Sequence, residues 1–168
     1  PARVGSASEQ RCGTDQLRAA LAARGYREVI TYSFTDATLD ERLGGTGGVA
    51  LRNPIASDLG VMRSSLWPGL VTTLRHNAAR QQSRVRIFEV GRTYAARAGD
   101  DGIVERAVVG GLAWGQPLPE QWGVQGASAT DFFDVKADVI ALLGPEAARL
   151  RFVPDLHPAL HPGQSARI

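Results

Sequence analysis

A chain of 168 residues, 43% hydrophobic and 21% charged, has the composition of an ordinary globular domain and is long enough to bury a core without covalent staples. Cys12 is the only cysteine, which excludes an intrachain disulfide and leaves a lone thiol read as inert. No apolar run approaches the ~18 residues of a membrane-spanning helix, no stretch has the make-up of a signal peptide, and a formal net charge of +2 is too small to argue for nucleic acid by itself; the cytoplasm is the expected location.

Residues 1–13 carry no periodic signal and are read as a lead-in segment, with 14–168 as one core domain cut short at its C-terminal end, because Ala166–Ile168 reads as a strand just beginning. Thr14 is the expected cap of a first helix, Asp15 adds negative charge at its positive end, Leu17, Ala20 and Leu21 form the buried face, and Gly25 ends it. Tyr26–Phe34 then reads as one strand whose Ile30, Tyr32 and Phe34 side is the more apolar. Thr35 or Asp36 caps a short second helix carrying Leu39 and Leu43. The run Gly44–Gly48 (GGTGG) lacks the ending of a phosphate-binding loop and follows a helix, so it reads as a hairpin tip; Val49–Leu51 resumes a strand and Asn53-Pro54 turns it.

The segment Val61–Tyr94 organises the rest. Pro68 suits the first turn of a helix, and Leu66, Leu70, Leu74 and Ala78 recur every four residues as one apolar stripe. Gln82-Ser83 breaks that pattern, and Arg84–Tyr94 is rich in strand-forming residues. Within Ile103–Trp114, the run from Ala107 to Trp114 carries the signal of a buried strand. Pro117–Ala129 is irregular, with Trp122 either exposed or plugging a gap, and a core or lid role is the better reading than base stacking. Asp131 or Thr130 opens another helix with Phe132, Val135, Val139, Leu142 and Leu143 as its stripe, Gly144-Pro145 stops it, and Arg149–Val153 reads as a strand. The pattern predicts an α+β fold, a mostly antiparallel sheet flanked by helices on one face.

Residues able to carry chemistry do not assemble into a site. His157 and His161 have the spacing of a helical metal pair, but Pro158 and Pro162 forbid that helix, so two turn histidines are expected. Asp131, Asp134 and Asp138 could share a helical face; a solvated helix N-terminal half is the better reading than a Mg²⁺ site. No nucleophile–base pairing or CxxC pair is present. Catalytic residues and metal ligands are therefore expected to be absent. Glu89 sits on a central strand and needs a partner if buried, with Arg86 on the opposite pleat and a cross-strand cation as the expected partner.

Two stretches carry a resemblance. GYREVITY at Gly25–Tyr32, after an amphipathic helix, resembles motif 1 of class II aminoacyl-tRNA synthetases, and RIFEVGRTY at Arg86–Tyr94 resembles the first strand of their motif 2. EVITYSF at Glu28–Phe34, the run Asn53–Gln81, VRIFEVGR at Val85–Arg92, DFFDVKADV at Asp131–Val139 and DLHPALHPGQSA at Asp155–Ala166 together are similar to the beta-chain family of bacterial phenylalanine–tRNA ligases. The departures are specific. Tyr32 stands where motif 1 has proline, Ala95 stands where motif 2 has its ATP-binding arginine, Arg97 replaces an acidic residue, and motif 3 is missing. The resemblance implies a non-catalytic core with no cofactor of its own. It would pair with an alpha chain in an α2β2 ligase that joins phenylalanine to tRNA(Phe) with ATP and Mg²⁺. It nominates Tyr26, Val29 and Tyr32, with Leu17 and Leu21, for the motif-1-like interface, and Arg63, Trp67, Arg75, Arg80 and Arg92 for alpha-chain contacts. The alternatives are a stand-alone RNA-binding module using Arg75, Arg80, Arg84 and Arg86, or an active ligase of the same fold, against which Ala95 and Arg97 argue.

Overall fold

The computed structural model describes residues 13–44, 48–97, 99, 102–122 and 128–168; the expected lead-in, apart from Gly13, and the middle of the GGTGG run lie outside them. The first helix, α1 (Thr14–Ala23), starts one residue earlier than a Thr14 cap would place it. Gly13 is the cap, and its N–H is taken by the Gln16 side chain at 3.2 Å, so Thr14 is already helical. The other end follows expectation: Gly25 has φ 79°, its N–H reaches the Ala22 carbonyl and that of Tyr26 reaches Leu21, which together close the helix.

The expected strand over 26–34 is two short ones. β1 (Arg27–Glu28) pairs parallel with a long later strand, and Val29 N–H still bonds Phe88. At Thr31 the backbone and hydroxyl both turn to the Glu89 side chain, which removes them from any ladder, and the chain crosses to β2 (Phe34–Thr35). Next come α2 (Ala37–Arg42), capped by Asp36 as expected, β3 (Val49–Ala50) and β4 (Val61–Met62). β4 is the centre of a small antiparallel sheet in the order β2–β4–β3.

α3 (Trp67–Ala78) has Pro68 in its first turn, and Gln81, with φ 63°, reverses the chain into β5 (Arg84–Ala96). β5 pairs antiparallel with β6 (Ile103–Gly115) along its whole length, from Arg84 opposite Gly115 to Ala96 opposite Ile103. β6 is nowhere fully buried, contrary to the reading of its apolar run, because β5 alone pairs with it among the described residues and its outer positions remain open. α4 (Phe132–Leu143) is capped by Asp131, whose carboxylate accepts from the N–H groups of Phe133 and Asp134. The expected strand at Arg149–Val153 is a 3₁₀ turn over Gly144–Arg149 and a short β7 (Val153–Pro154) that pairs with β8 (Ala166–Arg167).

Strand alternation sets the core. Val85 and Ile87 point to α3 and pack with Leu66 and Leu70, while Phe88 points the other way and packs with Leu21, Tyr26 and Leu142. Helices therefore cover both faces of the β5–β6 ribbon, rather than one. Leu70 and Phe88 are almost fully excluded from water, each contributing about 1.5–3 kcal/mol of transfer free energy.

Asp138, expected on a solvated helix face, is 4% exposed and sits at the joint of α1, α4 and β5. It accepts from Arg24 at 2.5 Å and from the Tyr26 hydroxyl at 2.6 Å and pairs with Arg86 at 3.2 Å. The i+4 spacing from Asp134 placed it on the right helix, but α1 covers that side. Burial first, and then the bond to Asp138, raises the Tyr26 pKa well above the usual phenol range. The raised value means that this contribution is full below about pH 10 and is lost as pH climbs through the range where folded Tyr26 ionises. Tyr26→Phe is expected to cost about 1–2 kcal/mol at neutral pH, for the lost bond and the Asp138 oxygen left short of a donor. It should also flatten the alkaline fall in stability; urea unfolding at neutral pH and above pH 10 measures both.

Candidate functional site

Beneath the motif-1-like stretch lies a buried ion pair. Glu89 projects from β5 on the α3 face, 3% exposed, and Arg63, also 3% exposed, meets it at 2.9 Å from the turn after β4. The Thr31 hydroxyl donates to Glu89 at 2.7 Å and accepts from Arg63 Nη1 at 2.9 Å, while Arg63 Nε donates to the Arg92 carbonyl at 2.9 Å. The cation is not a cross-strand neighbour, since the residue opposite Glu89 on β6 is Gly110. Arg63 also ties the two sheets through its backbone: its N–H reaches Ser33 and its carbonyl accepts from Tyr94 N–H, both at 2.9 Å. Gly91 leaves the room this needs, for a Cβ there would come within 2.5 Å of Arg63 Nη2. A second buried acid escaped the sequence reading. Asp40 of α2, 1% exposed, accepts from the Ser64 N–H at 3.1 Å and its hydroxyl at 2.7 Å, fixing the turn before α3. Only the contact across 24 residues reveals it; the local pattern shows an ordinary helix acid.

The side chains above this layer alternate between core and solvent. Val29 packs inward against the α3 core and Thr31 is spent on Glu89. The more apolar side of the stretch therefore faces out, with Ile30 93% and Tyr32 77% exposed. They border a groove of about 420 Å³ lined also by Phe34, Leu39, Leu59 and Pro68. Sequence alternation identified the more apolar side, and the tertiary structure turns it to solvent. Of the two alternatives for Trp122, exposed or plugging a gap, the structure shows the first, and the core or lid role does not hold.

Of the nominated interface residues, Tyr32, Arg75, Arg80 and Arg92 lie on the surface. Arg80 donates to the His76 carbonyl at 3.2 Å, and Arg92 forms an ion pair with Glu105 across the β5–β6 ribbon. Val29, Leu17 and Trp67 are half-buried, with Trp67 packing edge-on to His157 at 4.9 Å. Tyr26, Leu21 and Arg63, nominated near or at an interface, are buried within this chain, where the Asp138 and Glu89 carboxylates hold the two polar ones. The four arginines of the RNA-binding alternative do not share one exposed face, because Arg86 is buried on Asp138 and Arg84 is half-buried against the carbonyls of Gln116 and Pro117. His157 and His161 are turn residues; each Nδ1 accepts a backbone N–H two residues on, from Ala159 at 3.2 Å and Gly163 at 3.1 Å.

Ala95 and Arg97 stand at the far end of β5. Ala95 is half-buried opposite Val104, and the Arg97 N–H bonds the Gly102 carbonyl at 2.8 Å, closing the tip of the ribbon.

The sequence matches the family described as the phenylalanyl tRNA synthetase beta chain CLM domain over residues 1–168. The chain belongs to that family. It is 52% identical over 155 residues to the phenylalanine–tRNA ligase beta subunit of Pseudomonas fluorescens strain Pf-5, covering 90% of this chain and 19% of the relative. It is 48% identical over 175 residues to that of Bordetella parapertussis, covering 99% of this chain and 22% of the relative. The chain thus spans about a fifth of the length of these relatives. The fold is similar to that of a pyrrolysyl tRNA synthetase from Desulfitobacterium hafniense, with a TM-score of 0.55 at 23% identity, covering 82% of this chain and 46% of that one. This agrees with the α+β, class II synthetase-like architecture that the two motif-like stretches imply.

Arg63→Ala is expected to destabilise the domain by about 3–5 kcal/mol, because it leaves Glu89 charged and unpaired in a dry layer. The double change Arg63→Met with Glu89→Leu should recover most of that loss. Denaturant unfolding of the three variants checks the coupling.

Proposed function

We propose that this domain is a non-catalytic core module of a phenylalanine–tRNA ligase beta chain and that it pairs with the alpha chain. The whole enzyme would join phenylalanine to tRNA(Phe), with ATP and Mg²⁺ used on the alpha chain and none bound by this domain. The assembly would be α2β2 and cytoplasmic. The observation that carries the reading is the outward strip of Ile30 and Tyr32 beside an apolar groove, on a stretch that resembles the interface motif of the class II synthetases. A buried ion pair holds the backbone beneath it, so the strip is preorganised and little ordering entropy is lost on docking. Among the described residues no group of three or more His, Cys, Asp or Glu is placed to hold a metal, and no helix is long and apolar enough to cross a membrane. The alanine at position 95 supports the inactive reading, because a class II ATP site needs its arginine there.

The full-length beta chain carrying Ile30→Asp or Tyr32→Ala, mixed with its alpha chain, tests the pairing by analytical ultracentrifugation. Loss of a buried anchor is expected to weaken association by at least about tenfold, in line with the ≥ 2 kcal/mol of interface hot spots. Far-ultraviolet circular dichroism should be unchanged, since neither side chain is packed in the core. Wild-type association by both variants would remove this surface from the interface.

A further inference from the structure

The groove beside Ile30 and Tyr32 has a second wall that the sequence did not nominate, the loop between β3 and β4. Its base is closed by the Leu51 N–H on the Gly60 carbonyl at 2.9 Å, and its far part is a turn in which the Leu59 N–H reaches the Ala56 carbonyl at 3.1 Å. Leu59 lines the groove, half-buried, and Asp58 beside it stands exposed on the same lining. Three residues before Asp58, Ile55 is 88% exposed. One exposed isoleucine is ordinary on a protein surface. Here it shares a loop with two residues of the groove, opposite Ile30 and Tyr32, which are also turned to water. The apolar strip therefore has a counterpart on the loop.

The charges of the groove are unbalanced. Asp36, Asp58 and Arg63 are the charged residues that line it. Arg63 is buried and already committed to Glu89 at 2.9 Å, so it neutralises neither aspartate. Asp36 caps α2, with one oxygen accepting from the Leu39 N–H at 2.8 Å. Asp58 makes no ion pair among the described residues, and Arg52, the one cation of its loop, does not line the groove. The floor beside Asp58 is apolar, formed by Phe34, Leu39, Leu59 and Pro68. A lysine or arginine satisfies both features at once, since its methylene stem lies along apolar surface while its head meets a carboxylate. An acidic segment would be repelled. We propose that this loop is the second half of the alpha-chain interface, and that the alpha-chain segment entering the groove carries a lysine or arginine paired with Asp58, next to an apolar contact with Ile55. This rests on the pairing reading above and adds to it the chemistry of the partner segment.

The test measures binding of the alpha chain to the full-length beta chain at about 50 mM and about 500 mM salt. The beta chain is used as wild type, Asp58→Lys, Ile55→Ser and, as the control for the pairing itself, Ile30→Asp. At the lower salt, Asp58→Lys should slow association and raise the dissociation constant by about fivefold or more, because repulsion replaces the ion pair. At the higher salt, where exposed charges are screened, most of that difference from wild type should vanish. Ile55→Ser should weaken binding by about three- to tenfold at both salts, since apolar burial is not screened. Both side chains are exposed, so circular dichroism of the two loop variants should match wild type. Wild-type affinity in either loop variant, alongside a weakened Ile30→Asp, overturns the proposal and leaves the pairing through Ile30 and Tyr32 standing. Tighter binding by Asp58→Lys overturns it too, because the partner segment would then be anionic, and so does an equal loss at both salts. Wild-type binding by all three variants removes the pairing and this proposal together.

Discussion

A carboxylate cannot stay charged in a dry layer without a cation beside it, and the arrangement of this domain follows from how Glu89 meets that condition. Its partner, Arg63, comes from the turn after β4, some distance along the chain, so the ion pair closes only when the small β2–β4–β3 sheet is docked on the β5–β6 ribbon. Thr31 completes the set, which pulls the chain out of β1 and across to β2. One interaction therefore links both sheets and the motif-1-like stretch, and it sets which side of that stretch faces water. Its value lies in position more than in net stability, since desolvation offsets much of the attraction in a buried pair.

β5 carries a second ionic joint on its other face. Arg86 reaches Asp138 there, with Tyr26 and Arg24, and so anchors α1 and α4 to the ribbon. The two joints are three residues apart on one strand and point in opposite directions because of the pleat. An ordinary sheet strand would present one apolar and one polar face. This strand has both faces covered by helices, and each bears a charge that must be matched by a residue from elsewhere in the chain.

At the far end of β5, Ala95 lies half-buried opposite Val104 and the Arg97 N–H bonds the Gly102 carbonyl. The interior joints cannot be lost singly. What the domain presents outward is an apolar strip at Ile30 and Tyr32.

Several features were legible from the chain alone because they depend on neighbours within a few residues. The α3 stripe at Leu66, Leu70 and Leu74, the Asp36 and Asp131 caps, the Gly25 terminus and the extent of β5 all follow from helical period, strand propensity and backbone conformation, which act locally. The resemblance to the class II synthetases was equally visible, being carried by contiguous motifs. What the chain could not disclose are matters of long-range partnership. Asp138 and Asp40 have the sequence environment of ordinary surface helix acids and are buried only because α1 and Ser64 arrive from far away. Ile30 and Tyr32 have the alternation of a core face and turn outward only because Val29 and Thr31 have partners on the other side. Hydrophobic period reports which residues share a face, but burial of that face depends on what packs against it, and only the tertiary structure decides that.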